Sequence, residues 1–224
     1  MPGGAFARES CGPGYLFRVT PVGRLHSAYP PRRVMLDAAS VGAVRARPVG
    51  HVTMAKAMTT ALVSSVLRTA AATYARLLEE ELQENLVAVV LFGSVARSEA
   101  TAGSDIDLLV VCETLPAGRF ARLGLLEQAD ARFESERLRL YADGIDTRVV
   151  PLLKTRQEAG RVVPLYLDMV EDACLLVDRG GFFAEVLARL RARLTAVGAE
   201  RRRRGRVRYW ILKRDFQPGE NIEL

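Results

Sequence analysis

Apolar positions between residues 55 and 84 recur at helical spacing through Leu62, Val66, Ala70, Tyr74 and Leu78, and predict a long helix. The pattern then changes. Residues 87–92 are an unbroken apolar run ending at Gly93, as in a buried strand entering a tight turn. Residues 95–100 suit the first turns of a short helix, and residues 105–112 a second strand. A helix with a solvated charged face follows over 117–141, broken by Gly144. Residues 147–153 read as a third strand, 157–170 as helix interrupted near Pro164, and 173–177 as a fourth strand. Phe183, Val186, Leu187, Leu190 and Leu194 line one side of an amphipathic helix over 182–199. The tail from 200 to 224 is basic, then aromatic, then turn-rich. Helices and strands mixed in this order fit an α/β (α+β) domain.

Residues 1–53 differ from the rest. They hold six of the ten prolines, seven of the eighteen glycines and little periodicity, and we read them as a disordered or weakly ordered leader. A start at Met54 or Met58, just before the helical pattern, stays open. The division is then 1–53 leader, 54–180 main domain, and 181–224 C-terminal helix with a basic and aromatic tail.

Charge changes meaning once located. The net charge is +6 over 224 residues. Seven arginines and two acids in the leader account for +5, leaving 25 basic and 24 acidic residues in the body. Both histidines, His26 and His51, lie in the leader, so the body has no Ser-His or Cys-His catalysis and no histidine metal ligands. Three dispersed cysteines form neither a disulfide framework nor a zinc pattern, which fits a reducing, cytoplasmic setting. No run approaches the ~18 apolar residues of a membrane span.

The chemistry concentrates in residues 92–111, FGSVARSEATAGSDIDLLVV. Alternation along a strand would point Asp105 and Asp107 the same way. Paired carboxylates repel and lose hydration, a cost that a cation between them removes. Mg²⁺ suits, because it is held by one or two carboxylates together with substrate phosphates. Gly93 lets backbone approach a bulky anion, a helix start offers free amides, and Ser94 adds a hydroxyl. The turn would hold a triphosphate and the aspartates the metal. Arg97 is balanced between phosphate ligand and structural ion-pair partner.

Gly93-Ser94, ten intervening residues and Asp105-Ile106-Asp107 in a strand resemble the signature of the DNA polymerase β nucleotidyltransferase superfamily. The longer string GSVAR…SDIDLLVV resembles its minimal nucleotidyltransferase branch, which includes antitoxin partners of HEPN-domain toxins. The resemblance implies a small mixed, polymerase β palm-like sheet flanked by helices, two Mg²⁺ ions, and transfer of a nucleoside monophosphate from an NTP to an acceptor hydroxyl; ATP is the expected NTP. It makes Gly93 and Ser94 phosphate binders and Asp105 and Asp107 metal ligands. The branch often has glycine where this chain has Ser98. The superfamily also places a third carboxylate in a neighbouring strand. The strand over 147–153 contains no acid, so Asp146 just before it is the candidate for catalysis and metal binding, with Asp143, Asp168 and Asp172 behind it.

The acceptor is then a protein, a small molecule or an RNA end, with a protein tyrosine or similar group favoured. A second expectation is a binding module that masks a toxin-like protein partner with weak or no catalysis. A third is RNA binding through Arg201–Arg204, Arg206 and Arg208, with Tyr209 and Trp210 for stacking. Docking of the tail on the core is the blander and favoured use of those residues.

Overall fold

The computed structural model describes residues 59–205 and 207–217. The leader, Met54, Met58, Arg206 and the last seven residues lie outside them.

Thr59 accepts the Leu62 amide and opens helix α1, Thr60–Leu82. Its buried stripe is Val63, Leu67, Ala70, Ala71, Tyr74 and Leu78, while Leu62 is half exposed. The expected stripe ran in steps of four. Each such step turns about 40° past a full helical turn, so Leu62 lies about 160° away from Leu78.

Strand β1 is Leu86–Phe92. The single helical turn α2, Gly93–Ala96, leads towards β2, Ile106–Cys112. The helix expected over 117–141 is two helices, α3 (Arg119–Gly124) and α4 (Glu127–Ala142), parted at Leu125–Leu126. β3 is Val149–Thr155, and the interrupted helix is α5 (Arg156–Ala159) and α6 (Leu165–Asp172). β4 (Cys174–Asp178) precedes α7 (Phe182–Ala196), whose first amides, from Phe183 and Ala184, donate to the Asp178 carboxylate at 2.9 Å.

The main sheet has the order β3-β2-β1-β4, with β1 antiparallel to β2 and β4, and β2 parallel to β3. It is therefore mixed, as expected. Both faces are covered, which explains why β1, and β2 from Leu108 onward, read as continuous apolar runs. Leu91, Ile106, Leu108 and Val110 pack with α1 and with Phe133 and Leu140 of α4. Val90, Leu109 and Val111 pack with Tyr166 and Met169 of α6, with Phe183 and Leu190 of α7, and with Trp210. Asp107 has the strand parity of Leu109 and Val111 and belongs to this second face.

The tail is not merely a basic run. Glu200–Arg204 and Val207–Ile211 form a two-stranded hairpin, β5–β6, in which Arg201 opposes Trp210 and Arg203 opposes Arg208. Those four share one side of the hairpin. Trp210 is buried there, and Arg201 pairs with Asp172 and, at 3.7 Å, with Asp168. Arg202 and Arg214 pair with Glu200, while Arg203 donates to the Gly205 carbonyl at 2.8 Å. Much of the arginine cluster thus serves contacts within the chain. No helix among the described residues is long and apolar enough to cross a membrane.

Candidate active site

β1 delivers its last residue, Phe92, directly opposite Asp107 of β2. The chain then turns at Gly93 with φ at +76°, a conformation costly to any residue with a Cβ. The missing side chain also makes room. A Cβ at Gly93 would stand 3.0 Å from Asp107 Cγ and closer still to its Oδ2. The Asp107 carboxylate therefore rests against bare backbone at the mouth of the turn. The turn itself is one helical turn long, so it offers an anion local amides and the Ser94 hydroxyl rather than a long helix dipole.

Distant residues brace this turn. Arg68 of α1 donates from Nη2 to the Ala96 carbonyl at 2.6 Å and to Ser98 Oγ at 2.7 Å, and from Nε to the Val95 carbonyl at 3.2 Å. Ser64, one helical turn earlier, accepts the Ala100 amide at 3.1 Å. Ser98 sits at φ +59°, which accounts physically for a glycine preference at that place. The Glu99 amide donates to the Ser94 carbonyl at 2.9 Å. The Glu99 carboxylate then accepts from Arg97 Nε at 3.2 Å and from Arg208 of the hairpin. Burial alone would raise the Glu99 carboxyl, but the two guanidiniums hold it below its ordinary range.

Asp105 lies one residue before β2 rather than in it, and its Oδ1 accepts from Arg148 Nε at 3.1 Å. It is close enough to act on Asp107. Burial first, then the Asp105 charge, push Asp107 up to about 6 from 3.8, while Arg97 pulls the other way. A carboxylate pair under such strain is relieved by a cation. The two aspartates supply hard oxygen donors, and the Asp107 carboxylate fills the space left by the absent Gly93 side chain. These features fit Mg²⁺ held jointly by carboxylates, water and substrate phosphates.

Asp146 is placed differently from its neighbours. It is exposed, and its amide donates to the Ala102 carbonyl at 2.8 Å, tying down the loop that leads to Asp105. Its charge is felt by Arg137. Among the described residues no group of three or more Asp, Glu, His or Cys side chains is placed to hold a metal. On β3 the residue in register with Asp107 is Val150. Asp143 is exposed at the end of α4, and Asp168 and Asp172 face Arg201. Gly93, Ser94, Arg97, Asp105 and Asp107 thus share one locality. Glu99 joins it from within the motif, and Arg68, Arg148 and Arg208 join it from outside, through contacts that span up to 109 residues of chain.

Residues 75–167 match a family described as "Nucleotidyltransferase domain". Over 115 residues the chain is 28% identical to "Putative protein adenylyltransferase MJ1305" of Methanocaldococcus jannaschii, a match spanning 50% of this chain and 73% of that protein. Among solved structures it is similar to a toxin-antitoxin with AMP-PNP, at 15% identity and a TM-score of 0.37, covering 57% of this chain and 92% of the other. The toxin-antitoxin MntA-HepT gives 16% identity, a TM-score of 0.34, and coverage of 58% and 92%.

Proposed function

We propose, from the match of residues 75–167 to the nucleotidyltransferase family, that this chain moves a nucleoside monophosphate from a nucleoside triphosphate to an acceptor hydroxyl. ATP is the proposed donor and a protein the proposed acceptor. The name of the Methanocaldococcus relative, a protein adenylyltransferase, supports both choices. One observation carries the reading: the Asp107 carboxylate lies against the side-chain-free backbone of Gly93, where a phosphate gripped by the turn would meet it.

In this reading the amides after Gly93 and the Ser94 hydroxyl hold the phosphates. Asp105 and Asp107 hold Mg²⁺, which when bound offsets charge on the α-phosphoryl group and the leaving pyrophosphate. The acceptor oxygen attacks the α-phosphorus and the bond to the β-phosphate oxygen breaks. Pyrophosphate leaves and the hydroxyl proton passes to solvent. Arg97 stands near Asp107 as a fixed positive charge. Arg68 keeps the turn in shape through the carbonyls of Val95 and Ala96.

The test is transfer of label from α-³²P-ATP with Mg²⁺ and cell extract. Wild type should label an acceptor and Asp105→Ala/Asp107→Ala should not. Equal labelling by both proteins overturns the proposal.

A second reading is a binding module that uses the same fold to mask a protein partner, with weak or no turnover. Val150 beside Asp107, where an acid would complete a metal-binding set, favours it. It predicts a co-purifying partner that stays bound after both aspartates are replaced. Release of that partner by the double substitution would refute it.

A further inference from the structure

The hairpin β5–β6 lies wholly beyond the matched segment 75–167, yet it reaches the nucleotide turn. Its core-facing side carries Trp210 between two arginines that point to different anchors. Arg201 is tied to Asp168 and Asp172 of α6, and Arg208 to Glu99. Glu99 in turn is rooted in the turn, since its amide bonds the Ser94 carbonyl.

Arg97, Glu99 and Arg208 form a cluster of unequal charge. Two guanidiniums share one carboxylate, leaving an excess of one positive charge beside Ser94. The arginine side chains are 21% and 22% exposed and that of Glu99 is 38% exposed. The carboxylate is thus the more accessible member, while the arginines are half-sunk and already turned towards a common acceptor. Guanidinium groups offer five donors each in a planar fork, more than one carboxylate satisfies, and the fork suits phosphate oxygens. A triphosphate brings about four negative charges against the single one of Glu99, so it competes well for the same donors.

We propose that the C-terminal hairpin is part of the nucleotide site, with Arg208 and Arg97 forming a two-guanidinium seat for the β- and γ-phosphates, which Glu99 occupies until a triphosphate displaces it. The inference rests on the nucleotide reading above and deepens it by naming the part of the substrate that is read. It makes the polyphosphate tail, not the base, the source of discrimination by this arm. Glu99 then acts as an internal competitor that keeps both arginines turned inward.

The test is calorimetric titration of the full chain with ATP, ADP and AMP in the presence of Mg²⁺. Arg208→Ala should weaken ATP binding about tenfold and leave AMP binding unchanged, with Arg208→Lys between wild type and Arg208→Ala. Glu99→Gln keeps the shape and removes the competing charge, so it should tighten ATP binding. Opposite signs from two changes to one ion pair are the signature, because a purely structural strut would make both variants bind more weakly. Weaker ATP binding by both variants, or equal losses for ATP and AMP, overturns the inference. So does an unchanged ratio of ATP to AMP affinity in both. Glu99→Gln carries the test alone if Arg208→Ala fails to fold. Wild type that binds none of the three nucleotides instead removes the nucleotide reading itself.

Discussion

Gly93 and Asp107 are mutually dependent: the carboxylate occupies the volume that a side chain at Gly93 would fill. Of the described glycines, Gly93 alone brings an added Cβ within 3.0 Å of a neighbour. Gly93→Ala therefore imposes both a collision and a strained positive φ. We expect a loss of about 1–3 kcal/mol in stability from the backbone strain. Displacement of Asp107 by about 1 Å should lower transfer on the order of 100-fold. Denaturant titration and label transfer measure the two effects. An alanine variant with wild-type transfer would show that this contact is dispensable.

The pH dependence of stability has a defined sign. Asp107 is raised to about 6 from 3.8, by burial first and by Asp105 second. Its folded form favours the proton. The stabilisation from this group is complete below 3.8 and is lost as pH rises through about 6, roughly 3 kcal/mol in all. Asp107→Asn should therefore raise the urea midpoint of the metal-free protein at pH 7.5 and flatten its dependence between about pH 4 and 7. The same variant should lose Mg²⁺-dependent ATP binding. A midpoint that falls at pH 7.5 contradicts the assignment.

Arg68 holds the turn over Gly93–Ala96 from the far side through two carbonyls and one hydroxyl. Arg68→Met keeps the aliphatic stem and removes the donors. The expected cost is about 1.5–3 kcal/mol, the usual range for hydrogen bonds to a charged group. Amide exchange should accelerate at residues 97–100 more than in β1 or β2. Uniform acceleration across the sheet would assign Arg68 to global stability instead.

The chain has one tryptophan, so emission reports on the hairpin directly. Trp210 is 5% exposed, and native emission should be blue-shifted. Arg201→Ala removes the guanidinium that faces Asp168 and Asp172 and should loosen the hairpin by about 1–3 kcal/mol. Emission should shift to the red at denaturant concentrations where far-ultraviolet circular dichroism is still native. Coincident transitions would mean that the hairpin unfolds only with the sheet.

Legibility in the sequence followed the range of the interactions. β1 and β2 were readable because both faces of the sheet are covered, so that β1 is a continuous apolar run and β2 is one from Leu108 to Cys112. The pairing of Gly93-Ser94 with Asp105 and Asp107 was readable because fixed spacing across one turn leaves few geometries. The α1 stripe was misplaced because steps of four drift about 40° each off one helical face, and the 117–141 helix parts just after Gly124. Asp146 looked suited to metal binding because it precedes β3. In the structure its amide secures the Ala102 loop, and Val150 stands in register with Asp107.

The sequence by itself determined the α/β pattern and the glycine, serine and aspartate positions of the candidate site, because local periodicity and one short turn encode them. Tertiary structure alone decided that a run of arginines becomes a docked hairpin, that Arg68 braces the turn, and that Glu99 is shared by Arg97 and Arg208. Apart from Arg97 and Glu99, which are chain neighbours, those are hydrogen bonds and ion pairs between segments far apart in the chain. Which guanidinium meets which carboxylate follows from the packing of sheet, helices and hairpin, and no spacing rule carries that information.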